Sequence, residues 1–273
     1  MSESALAPSW EERPLVRPHV DAGVAVAASG RWASPWFPPD SVPVLDGPVD
    51  AQLRGDLLTV LRHLGSADPA TQLADATRVA ASRGATALAW TTGPGASDDD
   101  VAALLAERGA RIASTAEVMA RTLPLADVGP GRTVAGLEIV EVATARHLAD
   151  LELVNAEVWG HGLSDSVALA CRLEAGTAGL FVAYLDGRAV GTAALALPST
   201  PDDGVVRLGR AGVLAEHRGG GVYGALVRHR LGAAERAGAR IAVAHARPTS
   251  APILGRLGFA AFGVRTTWRL PIA

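Results

Sequence analysis

Apolar and polar positions alternate along the second half of the chain with two different periods. The helical spacing of Leu148, Leu151 and Val154 predicts a helix. Apolar runs on either side of Asp186-Gly187 predict a β-hairpin, because Asp-Gly is typical of its tight turn. A strand, a helix and another strand follow, which indicates one parallel crossover in a mixed sheet. The predicted elements are the strand Leu137–Val142, the helix Ala145–Trp159, a helix ending near Glu174, the strands Gly179–Leu185, Arg188–Leu197 and Val205–Leu214, the helix Val222–Ala237, the strand Arg240–Ala246 and a helix near Ser250–Leu257.

The first half ends in a pattern similar to the end of the second half. A short strand reaching Trp90 is followed by a Gly-Pro-Gly loop, a helix Val101–Arg108 and a last strand. The second half repeats this order after Ala244, and both halves finish in an apolar-Pro-apolar-Ala sequence. The glycine- and proline-rich stretch Asp127–Arg132 separates the halves. These features predict two related halves, residues 1–130 and 131–273, with chance similarity in an alanine-rich chain as the alternative.

Composition excludes several classes of protein. The chain has 273 residues, of which 49% are hydrophobic and 19% charged, so we expect a packed core. All 25 basic residues are arginine, which excludes a Walker-type phosphate loop and a pyridoxal Schiff base because both need lysine. Cys171 is the one cysteine, so we expect no intrachain disulfide and no metal site, and Cys171 is interpreted as a core residue rather than a nucleophile.

Charge and hydropathy limit the classes of binding partner that we expect. The formal net charge of −3 argues against nucleic acid as an obligate partner. Residues 1–130 hold 10 arginines against 16 acids, whereas residues 131–273 hold 15 against 12, so the second half is the better host for an anion. Neither a basic and apolar leader nor an apolar run of membrane-spanning length occurs, and we therefore expect a cytoplasmic protein without a membrane partner.

A glycine-rich turn stands where the strand Val205–Leu214 gives way to a helix. It reads Arg218-Gly219-Gly220-Gly221-Val222-Tyr223-Gly224. Free amides at a helix N-terminus bind phosphate, and glycines allow the close approach of a phosphate oxygen. A tight turn that needs a positive φ is the alternative. The turn also fits G-x-G-x-x-G, but too little chain follows it for a dinucleotide-binding domain.

This turn resembles the acyl-CoA-binding motif of the GNAT superfamily of N-acetyltransferases. Arg218-x-x-Gly221 followed by Val222 matches the motif, whereas Tyr223 stands where a small residue is usual. The stretch Ser250–Phe259 is similar to the second family motif, a short helix ending in Gly-Phe. The resemblance implies an α/β (α+β) fold with a mixed, mostly antiparallel sheet flanked by helices and a splayed pair of parallel strands. It also implies two GNAT-like halves: a degenerate copy in residues 1–130, which lacks the turn, and a catalytic acetyl-CoA-binding domain in residues 131–273.

The resemblance implies a role for each part of the turn. Backbone amides of Arg218, Gly219, Gly220, Gly221, Val222, Tyr223 and Gly224 would hold the CoA diphosphate, and the main chain at Val213 would bond the acyl-pantetheine end. The expected reaction is transfer of an acetyl group from acetyl-CoA to an amine by direct attack. The amine would be a small molecule or a peptide, recognised near residues 155–165.

The acid or base of this reaction is not evident. The tyrosine that the family often places in its second motif is Leu254 here, and Arg247 replaces the usual asparagine. His245 and Tyr223 are the replacement candidates, against the alternatives of a satisfied strand histidine and a packing tyrosine. A non-catalytic CoA-binding or regulatory protein, and a tandem whose turn binds nothing, therefore stay open as alternatives, as does the oligomeric state.

Overall fold

Helices and strands follow one another through both halves of the computed structural model, which describes residues 20–31, 38–65, 68–96, 99–124, 131–162, 178–197 and 204–272. The helices are α1 (Ala22–Arg31), α2 (Pro69–Ser82), α3 (Asp99–Glu107), α4 (Ala145–Trp159), α5 (Val222–Arg236) and α6 (Ala251–Arg256). The strands are β1 (Val42–Asp46), β2 (Val49–Arg54), β3 (Leu57–His63), β4 (Ala87–Thr92), β5 (Arg111–Thr122), β6 (Leu137–Glu141), β7 (Ala178–Leu185), β8 (Arg188–Ala196), β9 (Val205–Val213), β10 (Ile241–Ala246) and β11 (Ala260–Pro271).

Local signals set the ends of these elements in the second half. Helix α4 has the predicted bounds, because the Thr144 side chain accepts from the His147 amide at its start and Gly160 takes a φ of 73° at its end. Asp186 and Gly187 have φ values of 50° and 80°, as the tight turn between β7 and β8 requires. The predicted mixed α/β fold is confirmed, with element ends that differ by one or two residues. The predicted helix ending near Glu174, together with Cys171, lies outside the described residues.

One eleven-stranded sheet crosses both halves, in the order β1-β2-β3-β4-β11-β5-β10-β9-β8-β7-β6. Strand β5, the last of the first half, pairs with β10, and β11, the last of the second half, pairs with β4. Strands β5 and β11 also pair with each other at the centre. The halves thus exchange their last strands, and the stretches 1–130 and 131–273 share backbone hydrogen bonds along three strand pairs.

The predicted internal repeat is confirmed by the topology. Strands β3 and β4 pair in parallel over four positions, Leu57–Val60 with Ala87–Trp90. Strands β9 and β10 do the same, with Val205–Leu208 opposite Ile241–Ala244. A crossover helix joins each pair, α2 in the first half and α5 in the second. The two halves are therefore built on the same strand–helix–strand unit.

The core is divided between the two faces of the sheet. On one face, Leu226 and Leu231 of α5 pack with Leu208 and Ala244. On the opposite face, α4 covers β7 and β8, and α1 of the first half covers β5 and β10. The neighbouring ends of β9 and β10 consequently lie between helices on both sides. Within the described ranges, no helix is long and apolar enough to cross a membrane.

Candidate functional site

Strands β9 and β10 separate at their carboxyl ends. Their parallel pairing stops at Leu208 and Ala244, while β9 continues to Val213 and β10 continues along β5 through Ala246. A bulge lies at the same place, since the register between β8 and β9 shifts beyond Gly209. Bulges bend a strand and strengthen its twist, which turns the end of β9 away from β10. The result is an opening in the sheet, bounded by the two diverging strands.

A buried arginine holds this bulge in place. Arg230 of α5 is 1% exposed and donates to the carbonyl oxygens of Ala194 and Gly209, each at 3.1 Å. Burial lowers the pKa of Arg230 to about 10, and a hydrogen bond with the Tyr223 side chain opposes that shift. Sequence reasoning missed Arg230. Its signal was an arginine on the apolar stripe of α5, where a charge must find fixed acceptors.

The glycine-rich turn joins the end of β9 to α5, and the Arg218 amide at its start donates to the Ala215 carbonyl at 3.3 Å, so it does not serve as the predicted phosphate donor. Gly219 and Gly221 have φ values of 75° and 99°, and no side chain caps the helix at Gly221. The amides of the first helical turn have no acceptor within a helix, so this end carries partial positive charge. The Arg218 Nε donates to the Val213 carbonyl at 3.0 Å, which folds the side chain back on the end of β9.

The glycines of the turn are required for different structural reasons. At Gly221 the positive φ and the Val134 side chain, 3.1 Å from an added Cβ, already require glycine. Gly219 has a positive φ as well, so the alternative of a turn that needs this conformation accounts for both. Gly224 lies in the helix without a positive φ, and an added Cβ would meet nothing within 4 Å. The space at Gly224 is the feature that a ligand oxygen would use.

The equivalent helix end in the first half is filled by the protein itself. The Asp68 carboxylate accepts from the amides of Ala70 and Thr71 at 2.9 and 3.2 Å. Hydrogen bonds from the Thr71 hydroxyl and from these amides lower the pKa of Asp68. An anionic side chain therefore occupies the positive end of α2, where the second half presents bare amides.

His245 lies in a hydrogen-bonded chain that links the two halves. Its Nδ1 lies 3.2 Å from an Arg207 guanidinium nitrogen, and its Nε2 lies 2.8 Å from the Ser29 Oγ on α1. Arginine can only donate, so Nδ1 accepts and Nε2 carries the proton towards Ser29. The Ser29 hydroxyl in turn donates to the Pro94 carbonyl at 3.1 Å and accepts from Arg265 at 3.2 Å.

The electrostatics of this chain keep the imidazole neutral. Burial, followed by the charges of Arg207 and Arg265, lowers the pKa of His245 to about 3. Burial and the charge of Arg265 also lower the pKa of Arg207, to about 10. Both ring nitrogens of His245 are engaged, so the geometry favours positioning over proton transfer. Tyr223 is likewise half-buried against the core of α5 and bonded to Arg230.

On the α4 face, polar groups lie at the bulge and at the end of β9. Trp159 lies over Gly212, where an added Cβ would be 3.4 Å from the indole Nε1. The Arg247 guanidinium stacks on the Trp159 ring at 5.5 Å. Arg210, in the bulge, has a φ of 42° and a side chain whose pKa burial lowers to about 10. Leu254 is 1% exposed in the opposite core, so that position supplies no polar group. Residues 163–165, the end of the stretch expected to recognise the amine, lie outside the described residues.

A basic groove of about 460 Å³ runs beside α5 rather than between the strands. Arg132, Arg228 and Arg236 line it together with His229. The Cδ of Arg132 also lies 3.5 Å from the position of a Cβ on Gly221, so the groove begins at the glycine-rich turn. Its arginines add positive potential next to the helix end.

Comparison with known proteins finds similarity to a family model and to solved structures. Residues 144–259 match the model of the acetyltransferase (GNAT) family. A tandem GNAT protein from the clavulanic acid biosynthesis pathway is 18% identical, with a TM-score of 0.64 over 92% of this chain and 94% of its own. A GCN5-related N-acetyltransferase from Kribbella flavida is 20% identical, with a TM-score of 0.62 over 92% and 95%. No curated protein matches the sequence. The chain therefore has the fold of GNAT proteins, including the tandem arrangement.

Proposed function

We propose that this chain, whose residues 144–259 carry a domain of the acetyltransferase (GNAT) family, transfers an acetyl group from acetyl-CoA to an amine. The observation that carries the proposal is the opening between β9 and β10 beside a helix end without a cap. The fold supports acyl transfer in general, and the donor and the amine are the specific parts of the proposal.

The donor is proposed to bind along the turn and between the strands. Amides from Gly219 to Gly224 would bond the CoA diphosphate, with Arg132 and the basic groove adding positive potential, whereas the Arg218 amide is already bonded to the Ala215 carbonyl. The thioester would lie in the opening beyond Leu208 and Ala244, next to the main chain of Val213. In the first half, Asp68 occupies the equivalent amides, so we expect one acetyl-CoA for each chain.

The proposed chemistry is direct attack. The neutral amine nitrogen attacks the thioester carbonyl, an N–C bond forms, the C–S bond breaks, and the nitrogen then loses a proton. The CoA thiolate leaves without a side-chain acid, because the pKa of a thiol is about 8.5. The contribution of the protein is orientation of the two reactants in a site sheltered by helices. His245 and Tyr223 stay predictions as acid or base, and their hydrogen bonds favour structural roles.

A non-catalytic CoA-binding protein is the second candidate. The burial of Leu254 favours it, because the position that often holds the family's tyrosine has no hydroxyl. The two candidates bind acetyl-CoA alike and differ in turnover. Release of free thiol from acetyl-CoA, measured with a panel of amines, supports the transferase, and its absence in the presence of tight binding supports the binding protein.

The helix end is tested by Gly224→Glu. Gly224 is the third residue of α5, where a glutamate stabilises a helix by about 0.3–1 kcal/mol through the dipole. The same carboxylate would repel a diphosphate, and at about 5 Å and a dielectric near 20 each charge pair costs roughly 3 kcal/mol. We therefore expect unchanged or higher thermal stability together with at least a hundredfold loss of acetyl-CoA affinity by calorimetry.

Two controls accompany this variant. Gly224→Gln has the same shape without the charge and should lose much less affinity than Gly224→Glu. Ala74→Glu places the same charge on an exposed position of α2, the crossover helix of the first half, and should leave the acetyl-CoA affinity unchanged. Equal acetyl-CoA affinity in the wild type and Gly224→Glu would contradict the assignment of the diphosphate to this turn.

A further inference from the structure

The α4 face of the opening is rich in groups that bind anions. Helix α4 and the end of β10 contribute Trp159 and Arg247, which are in contact, and the bulge of β9 carries Arg210, which lines a small cavity with Asn155 and Thr192. Arg207 and Arg265 lie deeper on the same face, joined through His245 and Ser29. An amine that approaches the thioester from this side meets positive charge before it reaches the opening.

Three features of this arrangement point to a ligand. The indole Nε1 of Trp159 is buried and has no hydrogen-bond partner within the part of the chain that the structure describes. A buried donor without a partner is costly, and a ligand oxygen would remove that cost. Arg210 holds a left-handed backbone conformation, which costs free energy in a residue other than glycine and is frequent at functional sites.

The third feature is the stacking of Arg247 on Trp159. Arg247 directly follows β10 and Trp159 is the last residue of α4, so this contact connects the ends of the two elements across the splayed strands. A guanidinium stacked in this way keeps its edge free to donate, and its planar fork matches a carboxylate or phosphate. The arrangement therefore combines a fixed cation with a buried N–H donor.

We infer that the acceptor carries an anionic oxygen group beside its amine, and that Arg247 and the Trp159 indole N–H hold this group on the α4 face of the opening. This inference rests on the proposed function, because it assigns the amine that the transferase acetylates. A carboxylate and a phosphate share the chemistry that these donors recognise. The neutral amine attacks while the anionic group stays bound, so no charged carboxylate or phosphate has to enter the apolar part of the site.

The test compares pairs of amines that differ in the anionic group. Amino acids are paired with their amides, and O-phosphoethanolamine is paired with ethanolamine, which separates carboxylate from phosphate. We expect kcat/KM for the anionic member of at least one pair to exceed that of its neutral partner by about tenfold or more. Equal or better turnover of the neutral members in every pair would overturn the inference and leave the transferase proposal intact.

Two variants locate the anion. Arg247→Gln removes an exposed cation, and Trp159→Phe removes the indole N–H while it keeps an aromatic ring. Each should raise KM for the anionic amine about ten- to hundredfold with little change in KM for its neutral partner. Arg188→Gln, at the exposed turn between β7 and β8, is the matched control and should leave both values unchanged. Unchanged preference in both variants would refute the proposed position of the anion.

Binding of the amine is also measured without acetyl transfer, so that a failure of the proposed transferase activity can be distinguished from a failure of the proposed anion site. Each amine is titrated by calorimetry into protein saturated with CoA, which has no acetyl group to give. Tighter binding of the anionic member, lost in Arg247→Gln and Trp159→Phe, supports the inference even if no amine is acetylated. Equal binding of charged and neutral members would overturn it whatever the turnover shows.

Discussion

The hydrogen-bonded chain around His245 makes a quantitative prediction about acid stability. An unfolded histidine titrates near a pKa of 6.5, whereas burial, Arg207 and Arg265 lower the pKa of His245 to about 3 in the native protein. Between these pKa values the unfolded chain binds a proton at His245 and the native protein does not, so the free energy of unfolding falls as the pH falls. The loss begins near pH 6.5 and continues to about pH 3. At pH 5 it amounts to about 2 kcal/mol for this residue alone.

The perturbation is His245→Gln. Glutamine can donate towards Ser29 and accept from Arg207, as the neutral imidazole does, but it does not titrate. Urea unfolding of the wild type and the variant at pH 7.5 and pH 5.0 gives four free energies of unfolding. The wild type should lose about 2 kcal/mol more than the variant between the two pH values, since the other titrating groups cancel in this difference. An equal loss in both proteins would refute the assigned charge state of His245.

The same variant tests the predicted catalytic role. A residue with a pKa of about 3 contributes no inflection to kcat/KM between pH 5 and 8. Any inflection of the wild type in this range should therefore persist in His245→Gln. An acid limb near pH 6–7 that disappears in the variant would show that His245 works as the base, against the positioning role that its hydrogen bonds favour.

Two further substitutions test the bulge and the first half. Arg230→Met leaves the carbonyls of Ala194 and Gly209 without their charged donor. We therefore expect the free energy of unfolding in urea to fall by about 2–4 kcal/mol, and calorimetry to show weaker acetyl-CoA binding. Stability equal to that of the wild type would contradict the role of Arg230 in holding the opening. Asp68→Ala removes the cap of α2 and should lower the urea midpoint, and titration of the wild type should give one acetyl-CoA per chain. An unchanged urea midpoint in the variant, or two equivalents of acetyl-CoA in the wild type, would contradict the conclusion that Asp68 occupies that helix end.

The sequence by itself determined the features that depend on neighbouring residues. Thr144 and Gly160 set the ends of α4, and Asp186-Gly187 set the hairpin, because caps and tight turns are made within a few residues. The Arg218-x-x-Gly221 motif likewise located the bare helix end, and the repeated element order indicated two related halves. The uneven charge of the halves pointed to the second as the host of an anion, where the basic groove and the uncapped helix now lie.

Only the tertiary structure decided which distant segments meet. The exchange of β5 and β11 pairs each strand with a strand of the other half of the chain. The apolar pattern of a strand does not determine which strand it pairs with. The same exchange brings α1 over β10 and places Ser29 against His245. The candidate base is therefore a neutral imidazole with a hydrogen bond at each ring nitrogen. Protonation and anion affinity depend on burial and on charges that converge through space, so the roles of His245 and Arg247 follow only from the folded structure.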